Sequence, residues 1–96
     1  MEEILTPEVV AQNLQGFSGW EVEKDKIEKT FDFADFQGAL NFVNKVGALA
    51  ERASHHPEVE IHYNKVEIEL STHSVHGVTQ KDIDLAKQIQ EAYGSG

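Results

Sequence analysis

Five histidines occur in the 96 residues, and four of them, His55, His56, His62 and His73, fall within the stretch ERASHHPEVEIHYNKVEIELSTH. Imidazole exchanges protons near neutral pH, because its unperturbed pKa is about 6.5. Imidazoles brought together can therefore give a proton to one atom of a substrate and take one from another. His55 and His56 stand where a long helical pattern gives out, since Pro57 biases His56 away from helical backbone. The carbonyls at a helix C-terminus favour a charged ring there. Glu51 precedes His55 by four positions, so on one helical face its carboxylate would favour the same charged form. His73 follows the last strand pattern, after Ser71-Thr72. If the strand end and the helix end converge, His55, His56 and His73 share one small space.

Each of these residues has a plainer reading beside the chemical one. A lone histidine at a helix C-terminus is most often a cap, and an adjacent pair before proline can be a solvated turn. His62 lies on a glutamate-rich strand face and reads as surface, and His76 beside Gly77 reads as loop. Asp82 is most simply the third residue of a helix cap. His55, His56 and His73 with Glu51 could ligate zinc, but the helical His-x-x-x-His spacing is absent, so no metal is expected. With no cysteine, disulfides, thiolate zinc sites and cysteine nucleophiles are excluded, and a reducing, cytoplasmic setting is expected. A formal net charge of −9 disfavours direct contact with nucleic acid or an anionic membrane. No apolar run approaches the length of a membrane span.

The elements that must position the histidines can be read from periodicity. Thr6 and Pro7 announce a first helix, with Leu5 and Val10 placed as a hydrophobic staple, Val9, Val10 and Leu14 inward, and Gly16 as terminator. WEVEKDKIEKTFDF alternates as a hairpin turning at Lys24-Asp25. Asp35 caps a helix over residues 36–54. That helix carries one apolar stripe of Phe36, Ala39, Leu40, Val43, Gly47 and Ala50, and a second of Phe42, Val46, Leu49 and Ala53. A surface helix needs only one stripe, so the second suggests cover by another subunit or deeper burial within the monomer. A second hairpin with its turn at Asn64-Lys65 sets Tyr63 against Val66, Ile61 against Ile68 and Val59 against Leu70 on one face. It also sets His62 against Glu67 and Glu60 against Glu69. Thr79 to Asp82 opens a last helix, whose buried stripe is Ile83, Ala86, Ile89 and Tyr93. The expected fold is α+β, in the order α-β-β-α-β-β-α, a four-stranded antiparallel sheet with helices packed on one face. One domain over residues 1–96 is expected, with its core at about 5–92.

The pattern Glu51-x-x-x-His55-His56-Pro57, followed by Tyr63, His73 and Asp82, resembles the signature of the pterin-4a-carbinolamine dehydratase family. Tyr63-Asn64-Lys65-Val66, Leu70-Ser71-Thr72-His73, Gly19-Trp20, Phe31-x-Phe33 and Asp82-Ile83-Asp84-Leu85-Ala86 are similar to that family as well. The resemblance implies a dehydratase that removes water from a 4a-hydroxytetrahydropterin, of the 4a-hydroxytetrahydrobiopterin type, to give a quinonoid dihydropterin for recycling. Hydroxide is a poor leaving group, so the 4a-oxygen needs an acid, and the N5 proton needs a base. Imidazoles in opposite protonation states serve both needs, each contributing roughly 10²–10⁴-fold. No metal, nucleotide or covalent intermediate is needed, and no cofactor is expected.

By position, the resemblance makes His55, His56 and His73 the catalytic histidines. His56 and His73 would move protons, while His55 binds and polarises the pterin. Glu51 would orient His55, and Asp82 would hydrogen-bond near the histidines or the ring. Backbone groups around Ser71 and Thr72 would meet the pterin's amide edge. Val59, Glu60 and Ile61 stand where some members carry an aromatic residue, which bears on the choice of pterin. The resemblance further implies a homodimer or homotetramer with long helices packed together, and Phe42, Val46 and Leu49 are the expected contacts. The alternative, of another class, is a non-catalytic oligomerisation partner of a transcription factor or other protein.

Overall fold

The computed structural model describes residues 3–94, so the two positions at each end of the expected domain lie outside the described residues. Its elements are α1 (Pro7–Asn13), β1 (Glu21–Val22), β2 (Ile27–Asp32), α2 (Phe36–Ala53), β3 (Glu58–His62), β4 (Lys65–Leu70) and α3 (Gln80–Gly94). The order is the expected α-β-β-α-β-β-α, and the strands form one antiparallel sheet ordered β1-β2-β4-β3.

The caps read from the sequence are made. Thr6 Oγ1 accepts the Val9 N–H at 3.3 Å, and Asp35 Oδ1 accepts the Gly38 N–H at 2.8 Å. Each satisfies an amide that the first turn leaves without a partner. Alternation along β2 and β4 sends Ile27, Phe31, Val66, Ile68 and Leu70 into the core, where they pack with Val10, Val46, Ile83, Leu85 and Ile89. Burying each such side chain is worth about 1.5–3 kcal/mol, so this layer dominates the fold's stability. The opposite sheet face carries Glu21, Glu28, Glu69 and Glu58 in one row across all the strands. Lys26 bridges part of that row, 2.8 Å from Glu69 and 3.8 Å from Glu28. Desolvation, the largest cause, pushes the Glu28 carboxyl above its ordinary range, and Lys26 opposes the shift.

Three expectations about packing need correction. Val9 is exposed, because α1 turns only Val10 and the following Leu14 inward. The second hairpin turns at Tyr63-Asn64 rather than Asn64-Lys65, with Val59 opposite Ile68, Ile61 opposite Val66 and His62 opposite Lys65. Tyr63 takes a positive φ of 54° and is exposed, so it leaves the apolar face. Glu60 therefore meets Glu67, and His62 has Glu60 as its nearest carboxylate at 3.4 Å.

The third correction concerns α2. Phe42 and Val46 are buried within the single chain, so they are not available as an oligomer contact. Phe42 is enclosed by Phe31, Phe33 and Tyr93, with ring centroids 4.9, 5.1 and 5.8 Å away. The sheet and α3 of the same chain thus supply the cover that the second stripe called for. Leu49 is half-buried at a groove between α2 and α3, and Phe36 stays exposed.

Candidate active site

The site begins where α2 stops. Ser54 caps the helix in left-handed backbone, at φ 52° and ψ 40°, and its N–H reaches the carbonyls of Ala50 and Glu51. The His55 N–H also turns back to the Ala50 carbonyl, at 3.1 Å. A left-handed residue at a helix end reverses the chain sharply while satisfying terminal carbonyls. Two histidines that follow such a reversal cannot keep helical phase with Glu51.

The pairing accordingly differs from the helical expectation. Glu51 Oε2 lies 2.5 Å from His56 Nε2, not against His55. His55 turns inward instead, and its Nε2 lies 2.5 Å from Asp82 Oδ1. Asp82, in the first turn of α3, is fully buried. Its second oxygen accepts the Thr79 N–H at 2.9 Å and the Thr72 hydroxyl at 2.8 Å. A buried carboxylate demands such partners, because each unmet bond would cost about 1–3 kcal/mol. With Nε2 engaged in both His55 and His56, Nδ1 is the ring nitrogen each has left for a ligand.

His73 arrives from the other side, at the start of the loop after β4. Thr72 and Gly77 close that loop: Thr72 N–H donates to the Gly77 carbonyl at 2.8 Å, and Gly77 N–H returns the bond at 3.4 Å. The Thr72 carbonyl also accepts the Val75 N–H at 3.2 Å. This clamp holds His73 beside the end of α2, and no carboxylate pairs with its ring among the described residues. His55, His56 and His73 line one cavity of about 320 Å³, together with Ser54, Ser71, Thr72, Ser74 and Lys81. A wider groove of about 600 Å³ between α2 and α3 is lined by Lys45, Arg52 and Glu91 among others, and holds no imidazole.

The structure therefore brings together His55, His56, His73, Glu51 and Asp82, and redistributes the carboxylates between the first two rings. Thr72 changes character. Its hydroxyl is engaged by Asp82 and both its backbone groups close the loop, so Thr72 lines the cavity while also bracing the site. Ser71, half-buried on the cavity wall, keeps its place as a candidate binding residue. Ser54, Ser74, Lys81 and Thr79 were not singled out as site residues by the sequence. Thr79 and Asp82 did carry a capping-box spacing, but only packing shows that this box faces His55.

Comparison with known proteins bears on this arrangement directly. The family model for pterin 4 alpha carbinolamine dehydratase matches residues 3–92. The chain belongs to that family. A relative from Sulfurisphaera tokodaii that carries the pterin-4-alpha-carbinolamine dehydratase name is 46% identical over 87 residues, covering 91% of this chain and 94% of its own. One from Thermosynechococcus vestitus with the same name is 47% identical over 89 residues, covering 93% and 94%. A Brucella melitensis crystal structure described as a transcriptional coactivator/pterin dehydratase superposes with a TM-score of 0.89 at 34% identity, over 96% of this chain and 100% of the other. A pterin dehydratase-like RuBisCO assembly factor of the alpha-carboxysome shares the fold, with a TM-score of 0.68 at 19% identity over 83% of this chain and 95% of its own. No helix among the described residues is long and apolar enough to cross a membrane.

Proposed function

We propose that this chain eliminates water from a 4a-hydroxytetrahydropterin of the biopterin type, by paired proton transfer between histidines, in tetrahydropterin recycling. The observation that carries the reading is the cavity where His55, His56 and His73 meet with different partners. Its volume of about 320 Å³ lies at the lower end of the usual range for small-molecule sites, which suits a compact bicyclic ring.

The balance of the reaction assigns the rings. The C4a–O bond breaks as the oxygen takes a proton and leaves as water. The N5–H bond yields its proton to a base, and its electron pair forms the C4a=N5 double bond. His56, whose Nε2 lies against the Glu51 carboxylate, takes the donor's place. His73, whose ring has no carboxylate partner among the described residues, takes the acceptor's. His55, fixed by Asp82, presents Nδ1 to the pterin and holds it in register. Ser71 lies on the wall where the amide edge would rest.

The same proposal includes a single domain over residues 1–96, a cytoplasmic setting and association as a homodimer or homotetramer. Any such contact must use surfaces other than the buried Phe42 and Val46. The test is to generate the carbinolamine in situ, with chelator present, and follow quinonoid dihydropterin. Wild-type protein is expected to accelerate its formation with a bell-shaped pH profile, and His56→Ala or His73→Ala should each cut the rate about tenfold or more. A wild-type rate equal to buffer refutes the proposal.

A further inference from the structure

Behind the His55–Asp82 pair lies a chain of hydroxyls that the dehydration chemistry above does not use. Thr72 and Thr79 are both buried, and their Oγ1 atoms are 2.8 Å apart. Each hydroxyl has one proton to give. The Thr72 proton goes to Asp82 Oδ2, since an ionised carboxylate only accepts. The proton between the threonines must then come from Thr79, so Thr79 donates to Thr72 and Thr72 to Asp82, whose other oxygen lies against His55 Nε2. The two hydroxyl bonds run head to tail and polarise one another, so Thr79 bears on the placement of the carboxylate that also holds His55. The backbone N–H of Thr79, separately, caps the same Oδ2 at 2.9 Å.

We infer that Thr79 is a positioning residue for the reaction: its hydroxyl, acting through Thr72 and Asp82, fixes the orientation of the His55 ring in the cavity. The inference rests on the dehydratase reading for its kinetic expression. Thr79 is not among the residues lining the cavity, so its effect passes through the aim of the His55 ring and is expected in turnover more than in binding. Misplacing a ring by a fraction of an ångström to an ångström costs up to roughly a hundredfold in rate, whereas removal of a hydroxyl two links away should cost less.

Thr79→Val keeps the shape and removes the proton. Thr79→Ala is the second variant should valine not fold, because the capping bond to Asp82 uses the backbone N–H and survives either change. Thr79→Ser restores the hydroxyl. In the full-length protein, kcat should fall about tenfold in Thr79→Val or Thr79→Ala, with KM within about twofold, and recover in Thr79→Ser. A folded valine or alanine variant with wild-type kcat overturns the inference, as does a serine variant as impaired as valine. A second readout does not need turnover. The His55 Nε2–H proton, held against Asp82, should give a downfield NMR resonance in wild type and Thr79→Ser that broadens or vanishes in Thr79→Val. If wild-type protein proves inactive while this resonance behaves as described, the dehydratase reading fails and the positioning role stands. If activity is present but the resonance is untouched by Thr79→Val, the positioning role fails alone.

Discussion

His55–Asp82 and His56–Glu51 are imidazole–carboxylate contacts of the same length, 2.5 Å, set a residue apart at one helix end. Their surroundings differ. The side chains of the inner pair are 11% and 0% exposed, those of the outer pair 63% and 78%. At a given separation, polar groups shielded from water interact more strongly than exposed ones, which solvent and salt screen. The inner carboxylate also carries the Thr72 and Thr79 bonds, which leave it little freedom. One pair is a buried fixture and the other a solvent-exposed contact at the rim, and the distance alone does not distinguish them.

Substitutions can break or sharpen this contrast. The largest effect is expected for Asp82→Asn, which puts an amide where a fully buried carboxylate now meets Thr72, Thr79 and His55. Stability should fall by about 3 kcal/mol, as buried polar groups lose their partners, read from the denaturant midpoint at constant m-value. Ser54→Val strikes both pairs at once, because a β-branched residue is poorly tolerated in left-handed backbone; a loss of about 1–2 kcal/mol is expected by the same measurement. Glu51→Gln should cost less than about 1 kcal/mol, and whatever it costs should shrink in high salt. Equal losses from Asp82→Asn and Glu51→Gln would erase the distinction between the two sites.

The smallest effect belongs to the outer sheet face, as a control outside the site. Burial raises the folded-state pKa of Glu28, so between its unfolded and folded titration ranges the native state holds more protons than the unfolded chain. Stability contributed there is present at low pH and declines as pH rises through that window. Glu28→Gln should flatten this slope and leave the midpoint at neutral pH slightly higher, as thermal melts across acid to neutral pH would show.

Much of this was legible in the sequence, because period and caps report elements well. Alternation in β2 and β4 and the Asp35 cap follow from residue type and spacing, whereas the gathering of His55, His56 and His73 depended on a strand end and a helix end converging. What stayed hidden depends on single backbone steps. Ser54 and Tyr63 both adopt positive φ without being glycine, and no composition signal marks them. The first exchanges the carboxylate partners of two histidines, and the second shifts a hairpin register. The fate of Phe42 was equally unreadable. An apolar stripe says that a surface is covered, not whether α3 or another subunit covers it.

The most direct measurement of the central claim is an NMR titration of the wild-type protein with a stable, unreactive 7,8-dihydropterin, observing the imidazole signals of every histidine. The account predicts that His55, His56 and His73 respond together with one saturation curve, while His62 and His76 stay still. Binding that moves none of the first three, or moves His62 and His76 instead, would contradict it.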